Sequence, residues 1–314
     1  MADEKVIAVV GATGAQGGGL VRAILRGKGF IPRALTRDPR AAKARQLAEA
    51  GAEVVAADLD DAASVRRAFS GAFGAFCVTN YWEHHAPERE LAQAAKMAAA
   101  AQHAQLQHVV WSTLEDTRHW MRLDDTRMPT IRGKYKVPHF DAKGEANQLF
   151  LDAGVPTTFL LTSFYWDNLI HFGMGPRRGV DGTLAMTLPM EDKKLPGIAV
   201  EDIGRSVYGI FVRGEEFRGR TIGIAGEHLT GTEMADHLTH ALGETVRYHG
   251  VSPDEYRRLG IASAADLANM FQFKCDFQDE FCAARNVAFS RQLNPLLQTF
   301  EHWLARNSAR IRTD

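Results

Sequence analysis

Through the first half of the chain, short apolar runs alternate with amphipathic or alanine-rich stretches. Val6-Ile7-Ala8-Val9-Val10 is apolar on both faces, the pattern of a central parallel strand covered by helices on each side. A helix over about 15–27 follows, then a strand at Pro32-Arg33-Ala34-Leu35-Thr36 and an Ala- and Arg-rich helix over about 40–50 that Gly51 closes. The third strand is Glu53-Val54-Val55-Ala56. Asp60 or Asp61 caps the helix after it, which ends before Gly71. Ala75-Phe76-Cys77-Val78 and His108-Val109-Val110-Trp111 are the fourth and fifth strands, separated by an Ala-rich helix over 88–104. A polar insertion, a helix over 139–152 and a sixth strand at Thr157-Thr158-Phe159-Leu160-Leu161 complete the series. Strand and helix alternate, so the pattern predicts an α/β fold with a doubly wound parallel sheet.

Beyond 162 the rhythm changes. A Gly- and Pro-containing stretch spans 173–197, a helix 200–212, and a strand Thr221-Ile222-Gly223-Ile224-Ala225 that is expected to return to the main sheet. Helices over about 230–241, 252–259, 263–273 and 290–305 dominate the remainder. The predicted division is a dinucleotide-binding domain over 1–162, with 190–227 returning to it. A smaller, mostly helical C-terminal subdomain is built from 163–189 and 228–314. The 314 residues suffice for both. Formal net charge is −1, so no global field draws the chain to nucleic acid or an anionic membrane. The charged start, Met1-Ala2-Asp3-Glu4-Lys5, lacks a signal-peptide core, and no long apolar run suits a membrane. Cys77, Cys275 and Cys282 are odd in number and lack metal spacing, which fits a reducing compartment. A cytoplasmic protein is expected.

Gly11-Ala12-Thr13-Gly14-Ala15-Gln16-Gly17 follows the first strand directly and opens the first helix. Gly11 permits the tight turn, Gly14 lets a pyrophosphate approach the backbone, and Gly17 lets helix and strand pack closely. The helix N-terminus then presents N–H groups and the positive end of its dipole to phosphates. This strand–turn–helix context is what makes a glycine triplet a Rossmann phosphate loop. At the end of the second strand stand Arg37, Asp38 and Arg40, with Lys43 nearby. An arginine there suits the 2′-phosphate of NADP(H), whereas Asp38 turned inward would serve the 2′-hydroxyl of NAD. NADP(H) is the favoured cofactor. The remaining strand ends carry Asp58-Leu59, Thr79-Asn80-Tyr81-Trp82, Ser112-Thr113 and Thr162 to Asn168, polar or aromatic residues at the edge where a cofactor lies. Trp82 and Trp166 are candidate pocket walls.

The glycine loop, Thr36-Arg37, Val78-Thr79-Asn80-Tyr81-Trp82-Glu83, His139-Phe140-Asp141-Ala142-Lys143-Gly144-Glu145 and Ala265-Asp266-Leu267-Ala268-Asn269-Met270-Phe271 together resemble the NmrA-like family. Within it they resemble the HSCARG type of NADPH sensor. The resemblance covers nearly the whole chain and implies an atypical short-chain dehydrogenase fold that binds NADP(H). It also implies sensing of the NADPH/NADP ratio, with a regulatory protein partner or a homodimer. Carried over residue by residue, it puts cofactor contacts at Gly11, Ala12, Thr13, Gly14, Ala15 and Gln16. Further contacts fall at Arg37, Asp38, Pro39, Arg40, Ala41, Asp58, Leu59, Ala62, Thr79, Asn80, Tyr81 and Lys143. Tyr165, Trp166, Asp167 and Asn168 complete the set. Two departures stand out: Ala92 replaces a lysine of that type, and an insertion lies within 117–138.

Short-chain dehydrogenases use Tyr-x-x-x-Lys, because residues four apart share a helix face and lysine tunes the tyrosine. None of the six tyrosines has lysine four residues on; the matching helix reads His139-Phe140-Asp141-Ala142-Lys143. The catalytic candidates are therefore Lys143, His139 as an imidazolium donor, and Ser112. His139 is alternatively an inert residue at a helix start. His84-His85 and His237 with His240 lack a third ligand at metal spacing and read as surface residues. Phe271, Phe273, Phe277 and Phe281 read as core. The expected function is a redox sensor; the alternative is an NADPH-dependent reductase of a small quinone, enone or carbonyl substrate.

Overall fold

The computed structural model describes residues 4–260 and 263–313; Met1, Ala2 and Asp3 of the charged start lie outside them. The chain divides into two compact units. The first comprises the described residues of 1–116, 139–162 and 201–222, and the second those of 117–138, 163–200 and 223–314.

The first unit is built on a seven-stranded sheet. Six strands come from the alternating half: β1 (Lys5–Val9), β2 (Phe30–Thr36), β3 (Glu53–Ala56), β4 (Gly74–Cys77), β5 (His108–Thr113) and β6 (Thr157–Leu161). They run in the order β6-β5-β4-β1-β2-β3, and each adjacent pair is parallel. Thr221–Gly223 adds the edge strand beside β6, the return expected of that segment. Between the strands lie α1 (Ala15–Arg26), α2 (Ala42–Glu49), α3 (Ala62–Phe69), α4 (Pro87–His103), α5 (Pro138–Glu145) and α6 (Asn147–Asp152). The helix read over 139–152 is thus two helices. On one face of the sheet, Val65, Phe69, Met97 and Ala101 from the helices pack with Val10, Val109, Trp111 and Phe150 in a continuous apolar layer. Trp111 and Phe150 stack with ring centres 5.1 Å apart. Burying such side chains contributes on the order of 1.5–3 kcal/mol each, which explains why the strands are apolar on both faces.

The second unit is less helical than its periodicity suggests. It contains two three-stranded sheets, one of Phe164–Tyr165, Leu195–Ile198 and Glu227–Leu229, the other of Arg177–Arg178, Leu184–Leu188 and Val246–Gly250. These strands are short and separated widely in sequence, so a local window does not register them. The helix read over 290–305 is interrupted. Val287–Leu293 and Phe300–Asn307 are separate helices, the second capped by Thr299, whose hydroxyl accepts from His302 N–H. Phe271, Phe273 and Phe281 are fully buried in this unit, as expected of core positions. The 117–138 insertion is held by helix Ala264–Asp276. Asn269 donates from Nδ2 to the carbonyls of Pro129 (2.9 Å) and Lys136 (2.6 Å), while Gln272 donates to Arg127 O.

Candidate functional site

The sheet order sets β1 beside β4, although β2 and β3 intervene in the chain. Ligands of such sheets bind beyond the carboxyl ends of the strands at this reversal. From β1 the chain enters the glycine loop. Gly11 takes φ +64°, a conformation glycine adopts without steric cost. Gly14 is the N-cap of α1, and no side chain caps that end, which leaves helix-terminal N–H groups for an anion. A Cβ on Gly17 would stand 2.4 Å from the Gly11 carbonyl oxygen, so loop and helix meet as closely as glycine allows. This cradle fits a pyrophosphate, and a nicotinamide dinucleotide is the group these residues would hold.

After β2, the Arg37 guanidinium pairs with the Glu83 carboxylate, and both are exposed. Asp38 does not turn inward. Its Oδ1 accepts from the Arg40 N–H at 2.9 Å and closes the turn around Pro39, with Arg40 and Ala41 exposed. Asp58 does the same after β3, accepting from Asp60 N–H at 2.9 Å, with Leu59 half-buried. Ala62 then opens α3, which Asp61 caps.

After β4 come buried Thr79, exposed Asn80 and the single turn Tyr81–Glu83. Here several polar contacts gather. Lys143 Nζ donates to Thr79 Oγ1 (2.6 Å) and Thr79 O (3.2 Å), and lies 3.0 Å from Glu90 Oε2. Two hydrogen bonds and this ion pair hold the ammonium in place. Thr113 Oγ1 donates to the Lys143 carbonyl at 2.9 Å and pins α5 to the end of β5. Ser112 Oγ donates to Gln16 Oε1 at 2.8 Å, linking the fifth strand to the phosphate loop. His139 is 5% exposed, with Trp82 and Phe140 each at a ring-centre distance of 4.8 Å and Tyr81 at 5.7 Å. Its imidazole is a packed ring under the Tyr81–Glu83 turn.

Glu90 goes unmarked in the sequence, and His84 reads there as a surface residue. Glu90 is 1% exposed, and the His84 side chain is buried against it with Nε2 at 3.6 Å from Glu90 Oε1. His84 is therefore no surface histidine. A signal was present: Glu90, Ala94, Met97 and Ala101 share the buried face of α4, so an acid stands at an apolar phase of that helix.

Tyr165, Trp166, Asp167 and Asn168 belong to the second unit. Tyr165 pairs with Ile198, Asp167 Oδ2 accepts from Val200 N–H at 3.0 Å, and Asn168 opens a short helix. Burial pushes the Asp167 carboxyl up. Trp166 is 1% exposed and packs on Phe300 and Trp303, so its ring is core rather than the pocket wall expected of it.

The switch-point crevice, the uncapped glycine loop and the polar ends of β2 to β5 define a dinucleotide-fold protein. The NmrA-like family profile matches residues 3–304, and the chain belongs to that family. It is 29% identical over 287 residues to the NmrA-like family domain-containing oxidoreductase FrzB of a Cladobotryum species, covering 85% of this chain and 83% of that one. It is 31% identical over 253 residues to the corresponding oxidoreductase notA' of Aspergillus versicolor, covering 74% and 68%. Among solved structures it shares its fold with the negative transcriptional regulator NmrA in complex with NADP (TM-score 0.79, 22% identity, 96% of this chain and 94% of that one). It also shares it with Citrobacter sp. triphenylmethane reductase complexed with NADP(H) (TM-score 0.72, 17% identity, 97% and 99%). NmrA has also been solved with NAD. Proteins of this fold thus bind nicotinamide dinucleotides and include both regulators and oxidoreductases.

Proposed function

We propose that this chain binds NADP(H) and reports its redox state to a regulatory protein partner or a second copy, without turning a substrate over. The observation that carries this reading is the state of the position where a catalytic tyrosine would stand. His139 occupies it, buried in an aromatic stack and not open to a carbonyl. Ser112 is engaged by Gln16, and the Lys143 donors are engaged by Thr79 and Glu90. Preference for NADP over NAD is supported by Arg37 and by the outward turn of Asp38. The exposed Arg37–Glu83 pair is weak enough for a dianionic 2′-phosphate to compete for the guanidinium. Such competition would release the turn that covers His139, and a change of that kind is what a partner reads.

The test is an NADPH titration by fluorescence, followed in the same cuvette by quinones, enones and carbonyl compounds. Binding without steady oxidation, with altered amide exchange over 79–85, is the expected outcome. Unchanged exchange on saturation removes the sensor reading, because a ligand with no differential affinity shifts nothing. A second reading, a reductase of a small quinone, enone or carbonyl compound, is favoured by the oxidoreductase names of the relatives at 29% and 31% identity. Steady NADPH oxidation abolished by Lys143→Ala in folded protein would establish it.

A further inference from the structure

A carboxylate stands out of place on α4. Glu90 lies on the face that buries Ala94, Met97 and Ala101, and an ionised group at that depth needs partners. Its Oε2 has two, the Thr79 hydroxyl at 2.6 Å and Lys143 Nζ at 3.0 Å. Its Oε1 has no hydrogen-bond partner among the described residues and stands 3.6 Å from His84 Nε2. His84 brings no charge to this place. Its Nδ1 accepts from Ala86 N–H at 3.1 Å, which puts the ring proton on Nε2, and burial lowers its pKa. In direct contact, what remains is one ammonium against one carboxylate.

We propose that the Lys143–Glu90 pair sets the preference of the protein between oxidised and reduced nicotinamide, with Glu90 cancelling the charge of Lys143. The proposal rests on the reading above that the cofactor is NADP(H), with Lys143 at its nicotinamide–ribose end. The oxidised nicotinamide ring carries a positive charge that the reduced ring lacks. An uncancelled ammonium beside it disfavours the oxidised form, and an uncancelled carboxylate favours it. In a part-buried site the effective dielectric is well below that of water, so one charge is felt across several ångströms. With both groups present the site is close to neutral, and either one alone biases it in opposite directions.

The experiment is calorimetric titration of NADP and of NADPH into wild type, Glu90→Gln, Lys143→Met and the double variant, with a thermal midpoint for each protein. The ratio Kd(NADP)/Kd(NADPH) is expected to rise about three- to tenfold in Glu90→Gln and to fall by a similar factor in Lys143→Met. The double variant is expected to return close to the wild-type ratio, because the pair acts as a unit. A purely structural role weakens both forms together and leaves the ratio unmoved. Single variants that leave the ratio unmoved, or move it in the same direction, overturn the proposal. If Glu90→Gln does not fold, Lys143→Met against the double variant decides, with the higher ratio required in the double. Wild type that binds neither cofactor overturns the cofactor reading itself, an outcome distinct from binding with an unmoved ratio.

Discussion

Gly17 and His108 show how single positions are committed by their surroundings. A Cβ at Gly17 meets backbone atoms of both Gly11 and Val10 at 2.4–2.6 Å, and no flexible side chain can yield there. Gly17→Ala is therefore expected to cost about 1–3 kcal/mol in urea unfolding and to weaken NADPH binding more than it weakens the fold. His108 is fully buried. The Thr158 hydroxyl spends its proton on Phe217 O, so it must accept from His108 Nε2–H, at 2.8 Å. The other ring nitrogen has no hydrogen-bond partner among the described residues, and burial, then the Arg218 charge, pushes the pKa from 6.5 to about 4. The unfolded chain binds a proton below about pH 6.5 that the folded chain refuses until about 4. Unfolding free energy therefore falls as pH drops through that window and is level above it, by at most about 3 kcal/mol. His108→Gln, which keeps a donor for Thr158, should flatten this slope when urea titrations at pH 7.5 and pH 5 are compared. An equal slope in variant and wild type would show that His108 is not its source.

Between elements, polar contacts do what apolar periodicity cannot announce. The 117–138 insertion reads as an irregular polar segment, yet Asn269 satisfies two of its carbonyls, and Lys136 Nζ donates to Asp125 O and Met128 O at 2.7 Å each. Arg257 in turn holds Asn269 Oδ1 at 2.7 Å. Asn269→Leu strands those carbonyls, at about 1–3 kcal/mol for each buried unsatisfied group, and takes one partner from Arg257, which keeps Asp254 and Gln272. The expected result is trypsin cleavage within 118–136 at a protease level that leaves wild type intact. An unchanged digestion pattern would mean that other contacts hold the segment. Local signals do mark some boundaries here. The capping box of Thr230 with Glu233 and the Ser252–Glu255 box start their helices where the sequence reading placed them, within a residue or two.

At the scale of the whole molecule, cofactor binding and stability are one measurement. NADPH at a hundredfold its Kd should add about 2.7 kcal/mol to unfolding, provided it binds only the folded chain, and NAD at the same concentration should add less. Equal stabilisation by the two would remove the role given to Arg37. The alternation of six strands with helices, the placement of the glycine loop and the return of the Thr221 strand to the main sheet were legible from the sequence alone; the order of the strands within the sheet was not. The legible features rest on local periodicity and on turn chemistry, which neighbours in the chain decide. The Glu83–Arg37 and Glu90–Lys143 pairs join residues 46 and 53 positions apart, and no local window weighs such partners. The two small sheets of the second unit, the core position of Trp166 and the burial of His84 likewise depend on distant segments. The sequence by itself determined the strand–helix alternation that makes a doubly wound parallel sheet, and the phosphate loop, because backbone preference and apolar spacing are local. The charge partners and the buried or exposed state of each polar side chain were decided by the tertiary structure, because burial and Coulomb energy act through space, whatever the separation along the chain.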